Sequence, residues 1–214
     1  MVWFTTNDMI LRIPAAFFAL VLHEVVKARC SAMLGDPTPG RNGFMSRNPL
    51  AYLEPIGFIM TVIFGFGWGR PTPTSPLYYK DKQKGILITY TTPSLVNLFA
   101  GLLAALIVGI FSGPVIQSMI AIHPMASGTA AWLFYFINSF AMVSVSVALF
   151  NLIPVPPLDA AKILQAALSP NAAVKMTQYE KVLQVALMLL IVMGVIGGVI
   201  LPIASQIVRM SSFW

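Results

Sequence analysis

Charge is what this sequence has least of. Of its 214 residues only seven are Asp or Glu and thirteen are Lys or Arg, a charged fraction of 9% against a hydrophobic fraction of 57%. Soluble domains carry nearer a quarter of their residues as charges, so that class is excluded. Cysteine is almost absent: Cys30 stands alone, and no internal disulfide can form. The histidines are two, His23 and His123. There is no Gly-rich phosphate loop, no Gly-x-Ser-x-Gly elbow, no internal repeat and no low-complexity tract. The net charge of +6 comes without a basic run interleaved with aromatics, so a nucleic-acid partner is not expected. No basic stretch precedes the first apolar run and no small-residue cleavage site follows it, so a removable signal peptide is not expected either.

What the chain does have is long apolar runs. They predict an all-α integral membrane protein, a single domain over 1–214 with spans at about 10–34, 85–111, 131–153 and 182–203. The apolar run 55–68 is only 14 residues long. A straight crossing needs about 20, so this run reads as a short re-entrant segment in a bundle of four to five helices. Pro37 to Asn48 reads as a loop or a short pair of strands, and Gly194-x-x-x-Gly198 as a helix contact within the bundle. Asn97 and Asn138 are amides inside spans and are expected to bond between helices. With 55–68 re-entrant, Arg29, Arg41, Arg47, Arg70, Lys80, Lys82, Lys84, Lys162, Lys175 and Lys181 share one side, and only Arg12 and Arg209 fall on the other. The positive-inside rule puts the first side in the cytoplasm and both termini outside it.

The densest chemistry lies in Leu22-His23-Glu24-Val25-Val26-Lys27, three ionisable side chains in an apolar helix. At about 100° per residue His23 and Lys27 share a face, with Glu24 about a quarter-turn away. Ionisable groups at membrane depth are costly and mark functional sites by default. The hexapeptide is one letter from His-Glu-x-x-His, in which two histidines bind zinc and the glutamate is the general base.

Further blocks follow in order: Gly35-Asp36-Pro37-Thr38; Asn48-Pro49-Leu50 through Pro55-Ile56-Gly57; Trp68-Gly-Arg70-Pro71-Thr-Pro73; Pro93 with Asn97; and Asn151-Leu-Ile-Pro154 through Leu158-Asp159. Together with His23-Glu24 they resemble the site-2 protease family of intramembrane zinc metalloproteases, in its compact bacterial subgroup. The resemblance implies that His23 and Asp159 are zinc ligands and that Glu24 activates the metal-bound water. It makes Asn151 a holder of the scissile carbonyl or a substrate strand, and Asn97, Pro154 and Pro156 the lining of a substrate or partner groove. It also implies a bacterial inner membrane, with the site facing the cytoplasmic side.

The departures fall on the chemistry. Lys27 stands where the second histidine ligand belongs, Ala160 replaces the glycine after the aspartate, and Tyr52 and Glu54 replace the usual His and Asp before Pro-Ile-Gly. A catalytic zinc takes three protein ligands plus water, and a protonated lysine has no lone pair to offer. The reading adopted is a degenerate protease. Lys27 forms a metal-substitute ion pair with Glu24 and Asp159, no cofactor is expected, and the protein acts in the lipid bilayer as a binding or structural subunit beside a membrane-protein partner. Two alternatives stay open. One is an active protease holding zinc; the other is a proton or ion relay, which no paired broken helices or repeat halves support.

Overall fold

The computed structural model describes residues 6–111 and 124–211; His123 lies outside them. Every regular element among the described residues is helical. They are α1 (Thr6–Met33), α2 (Thr38–Arg41), α3 (Pro55–Phe64), α4 (Lys82–Phe111), α5 (Pro124–Phe150), α6 (Asp159–Ala167), α7 (Pro170–Gln178), α8 (Glu180–Val192) and α9 (Val195–Ser211), with 3-10 turns at Pro49–Tyr52 and Pro76–Tyr78. Three helices are long and apolar enough to cross a membrane, over Met9–Met33, Lys82–Ile110 and Trp132–Phe150, and the bent pair α8–α9 can supply a fourth crossing. The run from Pro55 forms a 10-residue helix, well below a full span.

Helices α1, α4 and α5 form the central bundle. Ala15, Ala16 and Ala19 of α1 are wholly buried against Val143 and Val147 of α5. Small residues let helix backbones approach where lipid supplies no hydrophobic drive. Helix α9 closes a second side through Ala204 and Val208, packed with Ala104, Ala105, Ala141 and Val145. Outward faces are apolar too: Phe99, Leu133, Val185, Leu189 and Val199 are all at least half exposed. Lipid, rather than water, suits such a surface.

Several sequence expectations change here. Pro37 to Asn48 contains the helical turn α2 and no strand. The expected continuous last span is broken by 66° between α8 and α9. Gly194 sits at the break with φ 78°, a left-handed backbone that only glycine adopts readily. Gly194 therefore makes the bend, and neither it nor Gly198 has a neighbour against the space a Cβ would take, so the two form no helix contact among the described residues. The connector before it folds as α6 and α7. Asn138 is exposed on α5 and bonds to no other helix among the described residues, because its side chain points outward from the bundle.

A buried polar chain ties the end of α1 to the loops. Asp36 accepts from Ser31 Oγ (2.7 Å), Ser75 N (2.7 Å) and Thr38 N (2.9 Å). The Ser31 hydroxyl in turn bonds the Tyr79 hydroxyl at 2.8 Å, which accepts from Thr89 of α4 at 3.1 Å. Burial opposes ionisation of Asp36, but the bonds from Thr38, Ser75 and Ser31 outweigh it and hold its pKa below the ordinary carboxylate value. The folded pKa being depressed, this stabilisation is present above the unfolded value of about 4 and is lost as pH falls through the folded one. Thermal melts should show Asp36→Asn less stable than the parent at pH 7, with the gap closing as pH drops below that range. A gap that stays constant with pH would reject the assignment.

Candidate functional site

The site lies where the second half of α1, the extended segment 66–75 and the start of α6 converge. Helix α1 brings His23 and Lys27 to Asp159 at the start of α6, with Glu24 beside Lys27. His23, Glu24, Lys27 and Asp159 are each no more than 4% exposed. The Lys27 ammonium lies 2.7 Å from Asp159 Oδ1 and 2.8 Å from Glu24 Oε1. His23 Nε2 lies 2.9 Å from Asp159 Oδ2. An ionised carboxylate only accepts, so Nε2 carries the proton and donates it. The opposite ring nitrogen, Nδ1, is buried without a hydrogen-bond partner among the described residues.

Glu24 has a second set of partners that sequence reasoning missed. Its Oε2 accepts from the Thr72 amide at 3.0 Å and from the Thr72 hydroxyl at 2.7 Å. The signal was available in the Arg70-Pro71-Thr72-Pro73 turn, whose only short hydroxylated side chain lies between two prolines that cannot donate. Three residues upstream, Gly69 passes so close that a Cβ there would sit 2.7 Å from Glu24 Cγ and 2.9 Å from Tyr52 O. Only glycine admits this approach. Replacing Thr72 by Val removes a buried bond to a charged acceptor, worth roughly 1.5–3 kcal/mol. Thr72→Val should therefore melt measurably lower, and Thr72→Ser should recover most of the difference.

Of the other expected site residues, Asn151 shares the cleft over the cluster, whereas Asn97, Pro154 and Pro156 are not in its lining. Asn151 is buried at the end of α5, where its side-chain amide donates to Val147 O (2.9 Å) and its own carbonyl accepts from Ala160 N (3.0 Å). It lines the small cleft of about 50 Å³ that opens over Glu24, Lys27 and Asp159; a space of that size admits only a few waters. Asn97 lies between helices. It is wholly buried and donates to Ala19 O of α1 (3.1 Å), while its carbonyl accepts from Ser144 of α5 (2.9 Å). An amide in apolar surroundings is held by such cross-helix bonds. Pro154 is exposed and Pro156 is buried in the turns after α5, and neither lines a cleft with the four ionisable residues. Glu54 caps α3, accepting from Gly57 N, and the Tyr52 hydroxyl donates to Phe44 O at 2.7 Å.

Zinc fits these residues poorly. His23 and Asp159 are two potential ligands, and the third position on the helix face holds an ammonium already between two carboxylates. Zinc-binding histidines nearly always donate their other ring N–H to an orienting acceptor. The Nδ1 of His23 has none among the described residues. No group of three or more metal-ligating side chains in metal-holding geometry occurs among the described residues.

A bundle of apolar helices with a His-Glu pair on α1 meeting an aspartate at the start of α6 defines a membrane protein built on a metalloprotease scaffold. The comparison with known families is direct: residues 8–205 match the model of peptidase family M50. The chain belongs to that family, the site-2 proteases. It is 28% identical over 165 residues to YwhC of Bacillus subtilis, named as a candidate zinc metalloprotease, covering 76% of this chain and 71% of that one. No solved structure matches.

Proposed function

We propose that this protein is a non-hydrolytic member of its family, in which Lys27 takes the electrostatic place of the metal. It acts by holding a membrane segment or a partner subunit in a membrane complex. The observation that carries this reading is the Lys27 ammonium within 2.8 Å of both Glu24 and Asp159. A water molecule ionises near neutral pH only when a metal's charge lowers its pKa. Glu24 already accepts from Lys27 at one oxygen and from the Thr72 amide and hydroxyl at the other, so both its oxygens are engaged by the chain's own donors. The site is assigned to the cytoplasmic face on the positive-inside rule, in a bacterial inner membrane. A terminal tag reached only from the cytoplasm would refute that orientation.

The test is metal analysis of protein purified in mild detergent, with a cleavage assay on transmembrane peptides. The expected result is well under one zinc per chain and no cleavage. One zinc per chain, with chelator-sensitive cleavage lost in Glu24→Gln, would overturn the proposal in favour of an active protease.

A further inference from the structure

A groove of about 780 Å³ runs beside the site, between the loop 71–76, the first turns of α4 and helices α6 and α7. Its charges are of one sign. Lys82 of α4 and Lys162 of α6 line it, and no carboxylate does. Neither lysine makes an ion pair among the described residues; the pairs present are His23–Asp159, Lys27–Glu24, Lys27–Asp159 and Lys84–Asp81. Lys162 is also half-buried, and it lines the small cleft over the four-residue site as well. Glu24 and Asp159, which share that cleft, are already held by Lys27. An anion in the groove would give both lysines a partner of opposite charge.

The remaining walls select the kind of anion. Ile86, Ala166 and Leu168 make one part of the lining apolar, while Gln83 and Gln165 offer donors beside the lysines. The groove also sits where α4 enters its apolar run: Lys82 opens the span, and Leu87 and Ile88, one turn on, are half exposed on its outer surface. A ligand there meets the two cations and an apolar wall together, at the level where the span begins. Basic pockets at the cytoplasmic ends of membrane helices recognise acidic lipid headgroups on this basis. A free phosphate would satisfy the lysines but leave the apolar wall uncovered. An acidic peptide would satisfy the lysines without needing the groove to lie at the entry of a span.

We infer that the groove between Lys82 and Lys162 is a binding site for the phosphate headgroup of an acidic phospholipid, with the upper acyl chain against Ile86 and Leu168. The inference is independent of whether the neighbouring site hydrolyses peptides. It is tested on the full chain in neutral detergent by thermal shift and native mass spectrometry, titrating short-chain phosphatidylglycerol. Parallel titrations use short-chain phosphatidylcholine, inorganic phosphate and an oligoglutamate peptide. Phosphatidylglycerol alone should raise the melting temperature and persist as a bound adduct. Each lysine near the surface contributes about fivefold in affinity. Lys162→Ala should thus weaken binding about fivefold and the Lys82→Ala, Lys162→Ala double variant about twenty-five-fold, on the same per-lysine scale. Lys181→Ala, outside the groove, should leave it unchanged. Undiminished binding by the double variant overturns the assignment. So does an equal response to phosphatidylcholine, or a response to phosphate or oligoglutamate that matches or exceeds the lipid's.

Discussion

Lys27→Ala should be the most damaging single substitution of a charged residue in this protein, lowering stability by about 3–5 kcal/mol. The magnitude follows from what is left behind rather than from the strength of the pair. Lys27 lies within 2.8 Å of Glu24 and 2.7 Å of Asp159, and all three are nearly inaccessible. Deleting the ammonium leaves two carboxylates facing one another in low dielectric, where both cannot stay ionised. Lys84, by comparison, is 81% exposed and 3.6 Å from Asp81. Exposed pairs of that kind contribute about 0–1 kcal/mol, so Lys84→Ala should hardly move the melting temperature. Lys27→Met, which keeps the stem and removes the charge, should resemble Lys27→Ala. If Lys27→Met melted like the parent, packing of the stem and not charge would be its role. Adding Asp159→Asn to Lys27→Ala should recover part of the loss, because one of the two stranded charges is then removed.

Lys27→His should have the opposite character once zinc is supplied. Positions 23 and 27 are one helical turn apart, so a histidine there would place two imidazoles on the face that meets Asp159. With Asp159 this makes the three protein ligands that a catalytic zinc takes. A ligand that binds only the folded state stabilises it by about 4 kcal/mol at a thousand times its dissociation constant. The expected result is a melting temperature that rises with zinc, reaches one metal per chain, and returns to the zinc-free value in His23→Ala or Asp159→Asn backgrounds. No zinc response at all would mean that the pocket around position 27 no longer has the shape of a metal site. Lys27 could not then be regarded as standing in the metal's place.

Much of this site was legible because helical periodicity is a strong constraint. His23, Glu24 and Lys27 sit on one helix, and their relative directions follow from 3.6 residues per turn. Asp159 was legible only through the family resemblance, since nothing local says that a residue 136 positions later comes back to His23. Thr72 escaped because its partner is set by how the 66–75 segment crosses α1, and an extended chain pinned by prolines has no periodicity to read. Asn97 carried two readings for a related reason, a bond between helices and a groove lining, and the structure shows the first. A buried amide signals a hydrogen bond, but the sequence does not say whether its partner is a neighbouring helix or a bound segment; here it is Ala19 O. The break at Gly194 lies in an apolar stretch that composition alone reads as continuous, and its positive φ is visible only in the backbone.

The i,i+3 spacing of Glu24 and Lys27 also bears on how the chain enters the membrane. These two residues belong to the first span and can neutralise each other within α1 alone, before any later segment exists. Asp159 lies beyond the Trp132–Phe150 span, at the start of a helix that does not itself cross. Its charge need not be carried through lipid, because it reaches Lys27 from the end of the bundle. In chain order the paired cation therefore comes first and the second carboxylate last, beyond all three central helices. The bridge between α1 and α6 is a lock whose two halves lie on either side of the bundle's sequence.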